Sequence, residues 1–188
     1  MPNDVSSVAV GKPKVGGAVF IAPIGSTLPT DASNPLDEAF ECLGYISEDG
    51  VVVTEERDSE TIPAWGGDTV ATVQTSYTET FAFTPIEVNP VVAAAEYGDD
   101  NVEVTSGKMT ITHNSAELPE KVLVIETVPN SKTVARFVVP RAKLTEKGDL
   151  TMTDSEPMGR ECTFTALPDK SGNTAYEYVT ITGLTPSA

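Results

Sequence analysis

Thr69 to Glu87 reads TVATVQTSYTETFAFTPIE, and its alternation decides the fold class. From Ser76 onward, side chains two apart share a face: Tyr77, Glu79, Phe81, Phe83 and Pro85 on one side, Thr78, Thr80, Ala82, Thr84 and Ile86 on the other. Neither face is strongly charged. The pattern predicts a long strand with a core on one face and something wet on the other. Similar runs cover most of the chain: Ala18 to Ile24, Phe40 to Ile46, Gly50 to Glu56, Val102 to Asn114, Lys121 to Val128, Thr133 to Gly148, Glu161 to Pro168 and Thr174 to Leu184. The expected fold is all-β.

One helix interrupts the strands. Asn89 is placed to cap it, Pro90 occupies its first position, Val91 to Tyr97 continue it and Gly98 stops it. Val91, Ala94 and Ala95, with Val92 beside them, are the expected apolar stripe. Residues 1–17 read as a flexible arm and 18–188 as a single domain, with long loops at about 25–38 and 54–68 rich in Gly, Pro, Ser, Asp and Asn. Asp31 to Glu60 holds ten acids and a single base, Arg57.

The 188 residues are 39% hydrophobic and 21% charged, enough to build a core and too apolar for global disorder. The net charge of -16 opposes unspecific attraction to nucleic acid or to an anionic membrane. The N-terminal MPNDVSSVAVGKPKVGG lacks the plan of a signal peptide, and no apolar run is long enough to span a bilayer, so a soluble protein made in a cytoplasm is expected. In that setting Cys42 and Cys162 read as reduced thiols.

No motif carries chemistry. His113 is a lone strand histidine, no Cys or His cluster has metal-ligand spacing, and the glycines sit at turns instead of in a phosphate loop. Asp99, Asp100 and Asn101 lack calcium-loop spacing. Glu55 with Glu56, and Asp99 with Asp100, read as solvated acids. No catalytic, cofactor or metal site is expected. Trp65 stands out because it lies in a polar stretch, where it either plugs its own domain or anchors a partner.

Pro35 to Gly98 resembles the major tail proteins of long, non-contractile-tailed phages, especially those of actinobacteria. The resemblance is carried by LGYISEDG (Leu43 to Gly50), the acidic run into AWGGD (Ala64 to Asp68), TVQTSYTETFAFTPIE (Thr72 to Glu87) and the small helix ending at Tyr97-Gly98. GAVFIAPIGSTLPTDA (Gly17 to Ala32) is similar to the family's first strand and proline-rich loop. The resemblance implies two packed antiparallel sheets, a β-sandwich or barrel with one flanking helix. Subunits would form rings, generally six-fold, by joining strands into a continuous inner barrel, and the rings would stack into a tube. It implies tape-measure, tail-tip and tail-terminator proteins as partners, and DNA passing through the lumen without specific binding.

Ring-to-ring contacts would come from about Thr54 to Asp68 and from residues 1–17. The candidate residues are Glu55, Glu56, Arg57, Asp58, Glu60, Ile62 and Trp65, with Lys12 and Lys14 as basic partners. Six copies at -16 each carry -96, so the channel would repel phosphate. The alternatives are a decoration or receptor-binding β-sandwich, an acidic mimic of DNA, and an enzyme.

Overall fold

The computed structural model describes residues 3, 5 and 8–182. Residues 1, 2, 4, 6 and 7 of the expected arm, and 183–188, lie outside the described residues.

Among the described residues, ten strands and one α-helix follow one another as β1 (Val19–Pro23), β2 (Glu41–Cys42), β3 (Ile46–Pro63), β4 (Thr69–Pro85), α1 (Pro90–Tyr97), β5 (Val102–Thr105), β6 (Lys108–Ile111), β7 (Lys121–Asn130), β8 (Thr133–Lys147), β9 (Cys162–Ala166) and β10 (Tyr176–Ile181). Eight form one antiparallel sheet in the order β2-β1-β7-β8-β9-β4-β3, with β10 also on β8; β5 and β6 form a separate hairpin. The fold is thus mostly β with one helix and two sheets, as expected, and the large sheet does not close into a barrel.

Strand β8 joins the two halves of the large sheet. Thr133 to Val138 pair with β10, whereas Ala142 to Lys147 pair with β9. An extra residue sits in β8 between Val139 and Ala142, beside Pro140, which has no N–H to give a ladder. The halves curl toward each other around Val19, Ile21, Leu123 and Ile125 from one side and Phe81, Phe83, Phe164 and Leu144 from the other. Phe81 meets Phe137 edge-on at 6.2 Å, and Phe83 stacks on Phe164 at 5.5 Å.

The face division read from Tyr77 to Pro85 is the core boundary. Glu79, Phe81, Phe83 and Pro85 are buried, while Thr80, Ala82 and Thr84 are half-buried and Thr78 is exposed. Buried Glu79 accepts hydrogen bonds from the Thr174 and Tyr77 hydroxyls.

Helix α1 begins and ends where expected. The Asn89 side chain accepts the Val92 N–H at 2.9 Å, and Gly98 closes the helix. Val92 is in the core and Val91 and Ala95 pack against it as expected, but the most buried residues are Val92, Ala93 and Glu96, so the packed side extends beyond the expected stripe. Glu96 is held there by Arg160, 3.1 Å from its carboxylate.

Three strand boundaries also differ. Phe40 to Ile46 splits into the two-residue β2 and the start of β3 at Ile46, because Gly44 (φ 83°) turns the chain where the Glu87 carboxylate occupies the space a Cβ would need. Val102 to Asn114 breaks into a hairpin at Ser106 and Gly107, both at positive φ. The expected loop at 54–68 is the largest correction: Thr54 to Pro63 belongs to β3 and pairs with β4 as far as Thr69, leaving only Ala64 to Asp68 as a turn. This ribbon stands in solvent on both faces, so burial imposes no apolar alternation that would have revealed it.

The other expected loop is irregular but packed. Leu28, Leu36 and Phe40 cover the outer face of the sheet over Ala22, Val122, Val124 and Val138. Beneath it the fully buried Arg136 donates to the Asp31 and Asn34 carbonyls at 2.7 and 2.8 Å and to the Glu126 carboxylate through Nε at 2.9 Å. Lys14 reaches the same carboxylate at 2.7 Å. Residues 10–14 run beside the second half of β7, with the Val10 N–H on the Pro129 carbonyl and the Val128 N–H on the Lys12 carbonyl.

Candidate assembly surfaces

Strands β3 and β4 continue far beyond the core. Every residue from Val52 to Ser76 is exposed except Ala64, which is half-buried, and Trp65 is fully exposed at the apex. The apex is held by the Ala64 N–H on the Asp68 carbonyl at 2.7 Å and the Gly67 N–H on the Ala64 carbonyl at 3.0 Å. Trp65 therefore does not plug its own domain.

The register sorts the candidate residues by face. Near the body, Glu55 and Arg57 lie opposite Glu79 and Tyr77, while Glu56 and Asp58 lie opposite Thr78 and Ser76 on the other face. Arg57 is engaged within the chain: its guanidinium lies 4.2 Å from the Tyr77 ring centre and 3.4 Å from the Glu55 carboxylate. Asp58 accepts the Ser76 hydroxyl at 2.7 Å. Burial pushes the Tyr77 phenol above its ordinary pKa, with Glu79 and Glu55 adding to the shift.

A shift of register after Asp58 leaves Thr75 unpaired. Beyond it Ser59 faces Gln74, Glu60 faces Val73, Thr61 faces Thr72 and Ile62 faces Ala71. Ile62, Ala71 and Val73 thus share one face with Glu60, and Ser59, Thr61, Thr72 and Gln74 share the other. The distal ribbon is amphipathic in solvent. Sequence reading singled out Ile62 but missed Ala71 and Val73, whose signal was present as TVATV.

Lys12 and Lys14 lie elsewhere, on the body. Lys14 lines a cleft of about 720 Å³ at the root of the ribbon, between residues 11–18 and 42–51. The hairpin group and the lysine pair therefore form two surfaces at opposite ends of β3. Strand β3 also ends the strand order, so its outer edge carries no sheet partner among the described residues.

The residues with potential chemistry are dispersed. His113 stacks on Tyr97 at 4.4 Å, with Lys147 over the same ring. Cys42 and Cys162 are free thiols, and burial pushes Cys162 up to about 12. Asp99 pairs with Lys121. Among the described residues, no three His, Cys, Asp or Glu side chains gather where they could hold a metal ion.

A curled sheet with an open edge and a projecting ribbon defines a structural β protein whose largest exposed features are strands. The profile of the phage tail tube protein family matches residues 3–185, and the chain belongs to that family. It is a structural component of the virion tail and not an enzyme. No curated protein sequence matches the chain. Solved structures similar to it include the following two. One is the sheath–tube complex of an extracellular contractile injection system in its extended state, with TM-score 0.45 and 8% identity over 93% of this chain and 97% of that one. The other is the tube-terminating cap of the anti-feeding prophage, with TM-score 0.45 and 9% identity over 94% and 98%.

Proposed function

We propose that the protein builds the tube of a long, non-contractile tail of the actinobacteriophage type, as stacked hexameric rings through which DNA is ejected. The exposed β3–β4 ribbon carries this reading: a paired, partly apolar ribbon standing in water lacks the burial that stabilises strands and gains it in an assembly. The outer edge of β3 joins a sheet edge of the next copy, and closing the ring removes the edge. The domain spans 18–188. Ring-to-ring contacts use Glu55, Glu56, Arg57, Asp58, Glu60, Ile62 and Trp65 on the ribbon, with Lys12 and Lys14 on the body.

The lumen is lined by the wet face of the sheet. On β4 that face carries Thr78, Thr80, Ala82 and Thr84, and the register extends it across β9 through Thr165 and Thr163 and across β3 through Val52, Thr54 and Glu56. Hydroxyls dominate this face, and the cations it carries on β8, Lys143 opposite Thr165 and Arg141 two residues before it, are already paired with Glu117 and Glu120, so DNA passes without specific binding. Assembly takes place in the host cytoplasm, away from any membrane. Tape-measure, tail-tip and tail-terminator proteins template and limit a head-to-tail polymer that cannot end by itself.

Shortening the ribbon tests this. Deleting the paired segments Ser59 to Ile62 and Ala71 to Gln74 together, with Trp65→Ala, preserves the remaining register. The expected result is a folded subunit that forms no tubes. Tube growth at the normal rate would refute the role of the ribbon.

A further inference from the structure

The ribbon's apex and the cleft at its root belong together, but not within one chain. Val51 and Trp65 are fourteen residues apart on one side of a paired ribbon. At about 3.3 Å per residue, Trp65 stands on the order of 40 Å from the cleft beneath it. Only another molecule's apex can enter.

We propose that this cleft is the socket for Trp65 of the next copy along the tube, an inference that rests on the tube reading above. The cleft has an apolar floor of Ile46, Val51 and Ile125, and Val15 and Tyr45 stand exposed on its rim. An indole buries about 150–250 Å² when enclosed, which a cleft of about 720 Å³ accommodates with the neighbouring turn residues. Exposed apolar surface at both ends of one ribbon is what a head-to-tail contact needs, and repetition of that contact gives a filament.

Charge orients the entry. Glu60 and Asp68 flank the apex. On the N-terminal wall stands Lys14, which already holds Glu126, while Lys12 is exposed beside that wall between its lining residues Gly11 and Pro13. On the opposite side Glu48 and Glu87 repel the apex carboxylates, with Glu87 fixed by the Tyr45 N–H at 2.8 Å. The apex enters on the lysine side. If apex meets root, the ribbon sets the spacing of copies along the tube, on the order of 40 Å.

Trp65 is the single tryptophan, so its fluorescence reports the contact alone. Free subunit should emit as an exposed indole, fully quenched by acrylamide. Tubes should show a blue shift and a several-fold loss of quenching. Val15→Glu changes a fully exposed rim residue, and Ser47→Phe fills the cleft. With far-UV circular dichroism unchanged in the subunit, both should restore quenching and stop ring stacking. Wild-type tubes with a freely quenched Trp65, or protection that survives both variants, would overturn the socket and leave the tube standing. A wild-type protein that forms no tubes even on a tail-tip template would overturn both.

Discussion

Arg136 is fully buried and Glu126 is 2% exposed, and the pair is completed by Lys14 and two carbonyls of the 24–40 loop. Such a charge is tolerable only when every donor is satisfied. Arg136→Met should destabilise the subunit by about 3–5 kcal/mol in urea unfolding, by leaving the buried Glu126 carboxylate to Lys14 alone and releasing the loop. Asp31 makes the same loop sensitive to acid. The N–H groups of Asn34 and Ser33 hold its carboxyl below the ordinary range, at 2.6 and 2.7 Å. A lowered folded-state pKa contributes stability above the ordinary value, about 3.9, and loses it as pH falls through the lowered one. The difference in melting temperature between wild type and Asp31→Ala should therefore hold steady from pH 8 to 5 and vanish on further acidification. At pH 8, one thiol of the native subunit should react with a small alkylating reagent: the half-buried Cys42, since Cys162 stays protonated.

At the scale of elements, what could be read from sequence follows what is buried. The alternation from Tyr77 to Pro85 was readable because one face sits on Phe164 and Phe137. The helix was readable because Asn89, Pro90 and Gly98 each solve a local backbone problem. The ribbon from Thr54 to Pro63 was not, because its acids and threonines meet solvent on both faces and its cross-strand partners lie up to 26 residues away, as Thr54 opposite Thr80. The candidate residues on it were found through their odd composition, while the root cleft was invisible, since its lining comes from four separated segments. Glu96 on the buried side of α1 was missed for a related reason: its partner Arg160 lies about a third of the chain away. Packing within the body predicts where damage stays local. Phe83→Ala should cost about 3–5 kcal/mol by emptying the stack on Phe164, whereas Val73→Ser on the distal ribbon should leave subunit stability within about 0.5 kcal/mol and still impair tube growth.

The whole molecule carries -16, and ring stacking brings many such charges together. The screening length falls from about 10 Å at 0.1 M salt to about 3 Å at 1 M, so raising ionic strength should speed tube growth followed by light scattering. Slower growth would mean that attractive ion pairs, with Lys12 and Lys14 as the basic partners, outweigh the net repulsion. The central claim is that one chain supplies both the ring edge and the axial ribbon of a hollow tube. Electron cryomicroscopy of the purified protein, alone or on a tail-tip template, tests it most directly. The account predicts tubes of uniform diameter, with an axial repeat on the order of 40 Å set by the ribbon and a lumen faced by Thr80, Thr84, Thr163 and Thr165. Solid fibrils, a lumen faced by the opposite side of β4, or a subunit that stays monomeric on the template would contradict it.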